Sequence, residues 1–167
     1  MKLLFEMDEK NYSDDMPLVE RIGVRALIRK GNLWAMQHAD GGEYKIPGGG
    51  KEGDESDLET LRREVLEETG MVIIDEKVRE IGEVLEKRID CFDPSKRYIA
   101  RSRFYFCEVR DEMHELKLTA SEIAKGYRLA WADLDTIIAT NRQAGDERWL
   151  KRDTGFLEWL RDNLDRL

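Results

Sequence analysis

The chain has 167 residues, 38% of them charged, and a formal net charge of −8, with acids and bases mixed along its whole length. That length is about one domain with a real core, and the acidic balance excludes the basic stripe that a nucleic-acid polymer or an anionic membrane would require. A small polyanion would instead need local help, from metal ions or a few well-placed Arg and Lys side chains.

After Lys2 the apolar stretch Leu3-Leu4-Phe5 stops at Glu6, far short of the h-region of a secretory signal. No segment is apolar enough to span a bilayer. Cys91 and Cys107 are too few and too unpatterned for a disulfide scaffold or a Cys-based zinc site. A cytoplasmic location is therefore expected. Repeats, low-complexity tracts and Pro/Gly/Ser linkers are absent, so residues 1–167 are expected to form a single domain.

Val24–Ile28 and Leu33–Met36 flank Lys30-Gly31-Asn32, which predicts a hairpin. Asp40-Gly41-Gly42 and Pro47-Gly48-Gly49-Gly50 mark loops. Ser56 to Thr69 reads as a helix, opened by the capping-box pattern Ser56-Asp57-Leu58-Glu59 and closed by Gly70. Val78–Ile89 and Tyr98–Val109 are extended candidates joined by a turn-rich Asp90–Ser95. In the second of these, Tyr98, Ala100, Ser102, Phe104 and Phe106 share one face, and Arg101, Arg103 and Tyr105 the other. Tyr127–Ala132 predicts a further strand and Asp133–Thr140 a short helix. From Asp146 onward Trp149, Leu150, Phe156, Leu157, Leu160 and Leu164 fall at helical spacing, an apolar stripe interrupted by Asp153. This order predicts an α/β protein with helices packed on a mixed sheet.

The Ser56–Thr69 helix has two faces. Leu58, Leu61 and Val65 form an apolar seam, and Glu64, Glu67 and Glu68 bring three carboxylates out on the neighbouring face. Like charges at those spacings repel by a few tenths of a kcal/mol per pair. The helix C-terminus disfavours negative charge as well. A divalent cation would reverse both penalties, and hard oxygen ligands select magnesium, manganese or calcium over zinc. A lone Glu-x-x-Glu-Glu is ordinarily only a solvated helix face. Here it comes with a Gly-rich loop directly upstream, Gly70 directly after it, and Arg63 one turn before Glu67, able to pair with it.

Together these residues resemble the box of the Nudix hydrolase family. The family pattern asks for Gly, five residues, Glu, seven residues, Arg-Glu, an aliphatic residue, any residue, Glu-Glu, any residue, Gly and an aliphatic residue. Gly49, Glu55, Arg63, Glu64, Val65, Glu67, Glu68, Gly70 and Met71 fill every fixed position. Tyr44–Gly48 and Trp131-Ala132-Asp133-Leu134-Asp135 also resemble the family. The resemblance implies a Nudix-type α/β/α sandwich with a central mixed β-sheet. It implies Glu64, Glu67 and Glu68 as metal carboxylates for Mg2+, with Mn2+ as the alternative, and a carbonyl at Gly48 or Gly49 often joining them. Glu55 and Arg63 are then positioning residues, and the reaction is attack of water on a nucleoside diphosphate linked to another group. The general base in such enzymes is a box glutamate or one from a later loop, for which Glu122 is the candidate; the competing reading of Glu122 is an exposed acid capped by Thr119 or Ser121.

Other residues carry two readings each. Lys45, Arg101 and Arg103 could grip phosphates, or the arginines could belong to a solvated sheet edge. Glu83 and Glu86 could join the metal cluster or pair with Arg88. His38 and His114 have no partner at ligand spacing, which favours surface or capping roles. Trp149, Phe156 and Trp159 favour core packing over base stacking or a dimer contact, so a homodimer stays open. The proline or tyrosine that some ADP-sugar and diadenosine polyphosphate hydrolases place after the box is absent from Glu83–Ile89, and the coenzyme A-type signature is missing too. Elimination leaves a nucleoside triphosphate pyrophosphohydrolase giving NMP and pyrophosphate. The competing readings are an NDP-sugar or dinucleoside polyphosphate hydrolase, a non-catalytic nucleotide-binding regulatory domain, and an isomerase of a prenyl diphosphate. The intact glutamates disfavour the regulatory domain, and the absence of a paired Cys/Glu motif disfavours the isomerase.

Overall fold

The computed structural model describes residues 1–167. Its elements run β1 (Leu3–Asp8), β2 (Leu18–Leu27), β3 (Arg29–Lys30), β4 (Leu33–His38), β5 (Tyr44–Lys45), α1 (Asp57–Thr69) and β6 (Met71–Ile73). They continue with β7 (Arg79–Ile89), β8 (Arg97–Phe106), β9 (Val109–Met113), α2 (Ala120–Ala124), β10 (Arg128–Ala132), α3 (Leu134–Ala144) and α4 (Arg148–Asn163).

The main sheet has the order β1-β7-β8-β2. It is mixed, because β1 runs parallel to β7 and β2 parallel to β8, while β7 and β8 are antiparallel. A second, antiparallel sheet holds β10, β4 and β3, with β5 against β4. The Gly-rich loop runs along the edge of β2. The Val24 N–H donates to the Gly49 carbonyl (2.9 Å), the Ala26 N–H to Pro47 (2.8 Å) and the Lys51 N–H to Ile22 (3.1 Å).

Alternation along β2 decides the layers, because successive strand residues face opposite ways. Val24, Ala26 and Ile28 face α1 and build one core with Ala35, Leu61, Val65, Met71, Ile73 and Cys107. Leu27 faces the other way, with Trp34, Met36, Val84 and Phe104 meeting Ile137 and Ile138 of α3 and Phe156, Leu157 and Leu160 of α4. Each of these buried aliphatic or aromatic side chains contributes about 2 kcal/mol. Docking of α4 therefore falls on Phe156, Leu157 and Leu160, with Phe156 stacked on Phe104 at 3.6 Å between ring centroids. The first turn of α4 is left beside a cavity. The result is the expected α/β/α sandwich.

Three local expectations change. The Lys30–Asn32 turn forms with Gly31 at φ +59°, but it closes only the short β3 onto β4, while the longer β2 pairs with β8. The Tyr98–Val109 segment divides at Cys107-Glu108, where β9 departs to pair with β6. Leu3–Asp8, read in the sequence only as too short for a signal, is an edge strand on β7. No helix is long and apolar enough to cross a membrane.

Candidate active site

Helix α1 is placed by its ends and its seam. The Ser56 hydroxyl accepts from the Glu59 N–H, and the Glu59 carboxylate accepts from the Ser56 N–H, so the capping box is complete. At the other end Gly70 adopts φ +72°, and its N–H donates to the Leu66 carbonyl. A Cβ at Gly70 would overlap the His114 backbone, so the residue that stops the helix also allows the chain to cross there. Leu61 and Val65 are fully buried in the seam.

The three box glutamates do not share one environment. Glu68 continues the seam inward and is buried. Its carboxylate accepts from the Gly48 N–H (2.7 Å) and from Lys45 Nζ (2.8 Å). Burial nevertheless pushes it up to about 7, because a desolvated carboxylate favours its neutral form. Glu67 is more open and is also raised by burial, against the charge of Arg63 and with that of Glu64. Glu64 lies against the loop, where a Cβ at Gly49 would overlap its carboxylate.

Arg63 binds the cluster together. Its Nε and Nη2 donate to the two oxygens of Glu55 (2.8 and 2.9 Å), Nη2 to the Gly50 carbonyl (3.1 Å) and Nη1 to Glu64 (2.7 Å). Glu67 is 3.7 Å away. The hydrogen bonds from Arg63, then from the Glu52 N–H and the Thr60 hydroxyl, hold Glu55 down at about 2.

The structure brings Glu122 and Lys45 to the same place. Lys45 Nζ lies 3.4 Å from Glu122 as well as 2.8 Å from Glu68. Glu122 also closes a capping box with Thr119 at the start of α2, as the second sequence reading of it expected. Burial raises Glu122, but the Thr119 N–H and hydroxyl, a hydrogen bond shared with Glu68 and the charge of Lys45 outweigh it and hold the group at about 2. These carboxylates are turned to Lys45, Arg63 and Gly48 rather than to a common centre, and no three acidic, His or Cys side chains gather around one ion-sized point.

Within the loop the two glycines do different work. Gly48 sits at φ +136°, and a Cβ there would overlap the Val24 carbonyl. The Gly49 carbonyl accepts from the Val24 N–H and from Arg25 Nη1. The Gly48 carbonyl accepts from no protein donor, although the residue is buried.

Across this loop from α1 lies a cavity of about 590 Å³. Its floor is the face of the sheet carrying Arg21, Gly23 and Arg25 of β2, Ala100 and Ser102 of β8, and Glu86 and Arg88 of β7; the N-terminal end of α4 and its cap supply Glu147, Arg148, Trp149 and Arg152. The same sheet face is core at its other end, where Val84, Phe104 and Leu27 meet α4. Small side chains at Gly23, Ala100 and Ser102 keep the near end open. The cavity lining holds seven cationic residues, Arg21, Arg25, Lys45, Arg88, Arg101, Arg148 and Arg152, and two acids, Glu86 and Glu147, although Lys45 and Arg101 turn their charged ends to acids on the α1 side. A neighbouring cavity of about 580 Å³ shares Glu86, Arg88, Glu147 and Arg148, but there five acids outnumber four bases. The first is therefore the more cationic of the two.

Several candidates lie elsewhere. Arg103 donates to Asp57 of α1 (2.9 Å) and is 3.7 Å from Glu83. Arg101 borders the cavity, but its guanidinium is paired with Glu20 and Glu83 (2.5 and 2.9 Å). Both stand on the α1 face, as strand alternation with Tyr105 requires. Glu83 serves these arginines, and Glu86 pairs with Arg152 at 3.3 Å. His38 stacks on Tyr44 at 4.2 Å between ring centroids. Phe156 is core and Trp159 packs against it, whereas Trp149 lines the cavity. Sequence reasoning passed over Arg21, Arg25, Arg148 and Arg152, and took Arg88 only as an ion-pair partner of Glu83 or Glu86, which pair with other arginines instead. The alternation Arg21-x-Gly23-x-Arg25 in a strand was the available signal.

The NUDIX domain family model matches residues 19–153. The chain belongs to the Nudix family of hydrolases. A NUDIX hydrolase from Nitrosomonas europaea superposes with a TM-score of 0.58 at 21% identity, over 80% of this chain and 85% of that one. A MutT NUDIX hydrolase from Burkholderia pseudomallei does so with a TM-score of 0.50 at 19% identity, over 70% and 85% of the two chains. The ORF135 protein of E. coli gives 0.50 at 18% identity, over 78% and 84%. At these identities the likeness is one of fold. No curated protein sequence matches the chain.

Proposed function

We propose that this protein hydrolyses the phosphoric anhydride of a nucleoside diphosphate linked to a second group, and that a nucleoside triphosphate, cleaved to NMP and pyrophosphate, is its leading substrate. The observation that carries this reading is the adjacency of an acidic helix face and a cationic cavity, separated only by the Gly48-Gly49 backbone. One side suits hard cations; the other suits the phosphate chain.

The donor set fits magnesium or manganese, because Glu64, Glu67, Glu68 and the unpartnered Gly48 carbonyl offer only oxygen. Bound there, such an ion would neutralise phosphate charge and lower the pKa of the attacking water. Lys45 would turn from Glu68 toward the phosphates. Arg63, anchored on Glu55 and the Gly50 carbonyl, holds Glu64 toward the loop throughout. Glu122, kept near 2 by Thr119 and Lys45, is a weak proton acceptor at neutral pH. Its better role is a fixed negative charge beside Glu68 and Lys45, which leaves base catalysis to the box. Trp149 and Tyr98 are the aromatic surfaces available to a base. The adjoining cavity past Glu86 and Arg88 favours a second reading, in which the group beyond the diphosphate is large, as in an NDP-sugar or a dinucleoside polyphosphate.

A magnesium-dependent screen of nucleoside triphosphates, NDP-sugars and dinucleoside polyphosphates tests the proposal, with Glu67→Gln as its control. Loss of a ligand worth several kcal/mol in the transition state lowers kcat by about 10³-fold or more. Wild-type turnover in well-folded Glu67→Gln protein would defeat the assignment, and binding without turnover by the wild type would favour the regulatory domain.

A further inference from the structure

Arg25 is a buried guanidinium, 9% exposed, in the strand that borders the Gly-rich loop. Buried charges are ordinarily paired, because an unpaired one forfeits its hydration without compensation. Arg152, its buried neighbour across the cavity, follows that rule, with Asp153 at 2.7 Å and Glu86 at 3.3 Å. Arg25 does not. No carboxylate lies within ion-pair distance of it, and its only acceptors are the carbonyls of Val24 (2.7 Å) and Gly49 (3.3 Å), both reached through Nη1. Its Nε is buried with no partner at all.

The surroundings hold that guanidinium in place. A Cβ at Gly23 would come within 3.2 Å of Arg25 Nη1 and 3.7 Å of Nη2, so the side chain lies flat over the strand where a larger residue would lift it. Arg21 and Gly23 share its strand face, and the whole group lines the cationic cavity. The Gly49 backbone that meets Nη1 is the same backbone that touches the Glu64 carboxylate. A ligand reaching from the carboxylate cluster into the cavity must pass this point.

We propose that Arg25 is the phosphate seat of the cavity, its unpaired guanidinium donating through Nη2 to the phosphate chain next to the bond that is cut. A guanidinium held flat in this way is a directional donor, and its bond to a phosphate oxygen is charge-assisted. The seat rests on the phosphoric-anhydride reading above. It predicts an opposition between binding and stability: Arg25→Met removes an unpaired buried cation and gains apolar packing, so it raises Tm while losing the anion. A residue that served only to hold the Gly49 loop would lower Tm when removed and leave anion binding alone.

The experiment is calorimetric titration of the full chain with inorganic pyrophosphate, in buffer stripped of divalent metal, alongside thermal unfolding. Wild type binds saturably, and Arg25→Met weakens binding by tenfold or more. Unchanged pyrophosphate affinity in folded Arg25→Met overturns the seat, and so does a wild type with no saturable binding, even where nucleotides are hydrolysed. A wild type that cleaves no phosphoric anhydride but binds pyrophosphate through Arg25 keeps the seat and defeats the enzymatic reading instead. Should Arg25→Met fail to fold, Arg25→Lys carries the test, because it keeps the charge without the planar, fixed donor. A loss of fivefold or more then supports the seat, and wild-type affinity overturns it.

Discussion

On the α1 side of the Gly48-Gly49 loop the charged side chains are paired with one another, whereas on the cavity side several stand alone. Glu55, Glu64 and Glu67 share Arg63, and Glu68 and Glu122 share Lys45. Across the loop Arg21 has no acidic partner, Arg25 has only carbonyls, and Arg88 rests on the Tyr98 ring at 4.2 Å and the Ile89 carbonyl. A chain of net charge −8 does not lack acids with which to pair them. Surface pairs add little to stability, so neither arrangement is explained by folding alone. The paired side holds a constellation in position; the unpaired side keeps charge available for a ligand.

The loop between them offers the sharpest way to break that contrast, because its two adjacent glycines answer to different sides. Gly48→Ala puts a side chain at φ +136° and into the Val24 carbonyl, which backbone alone cannot yield. The expected cost is about 3 kcal/mol or more, read as a lower denaturation midpoint. Gly49→Ala first meets the flexible end of Glu64. It should change stability by less than about 1 kcal/mol while displacing that carboxylate, with a loss of about 10²-fold in kcat. Equal stability losses in the two variants would show that both glycines serve the fold.

Glu68 sharpens the paired side. Its group is raised to about 7 from an ordinary 4.5. Below pH 4.5 folded and unfolded chains both hold the proton, and the group costs nothing. As pH rises toward and through 7 the unfolded chain releases it first, so the folded state loses up to about 3 kcal/mol, complete above pH 7. Glu68→Gln has no such titration. In magnesium-free buffer the Tm of this variant should gain on wild type steadily from pH 4.5 to 8, and a gap independent of pH would remove the argument for a protonated Glu68.

How far these features were legible from the sequence depends on how local their causes are. The helix, its Ser56 cap, its Gly70 stop and the spacing of Glu64, Glu67 and Glu68 are set within a few residues of one another. Periodicity and capping chemistry therefore read them directly. The burial of Glu68 was not legible, because it comes from Gly48 and Lys45 folding back across the seam. Asp153 stood out as an acid in an apolar stripe, but beside its neighbour Arg152 it takes the Ile46 N–H, 107 residues away. Arg25 is the extreme case. Its significance lies in a partner it lacks, and only the placement of every acid around it can establish that. Arg101 and Arg103 drew attention in the sequence because they alternate in a strand. The same alternation turns them toward Asp57 and Glu83, while Arg21 and Arg25 alternate toward the cavity.

Two capping boxes give the smallest and most discriminating comparison. Ser56 with Glu59 opens the 13-residue α1, and Thr119 with Glu122 opens the 5-residue α2. Removing the first, in Ser56→Ala, strips a hydrogen bond from a long packed helix and should cost about 1 kcal/mol, with turnover unchanged because neither side chain bonds a box glutamate. Removing the second, in Thr119→Ala, should cost about 0.5 kcal/mol or less, since a single helical turn carries little of the fold. Its effect falls on Glu122 instead, which loses the 2.8 Å bond from the Thr119 hydroxyl and with it part of its hold beside Lys45. A fall of severalfold in kcat with stability nearly intact is expected for Thr119→Ala, and the reverse for Ser56→Ala. Identical behaviour in the two variants would reduce Glu122 to a cap and nothing more.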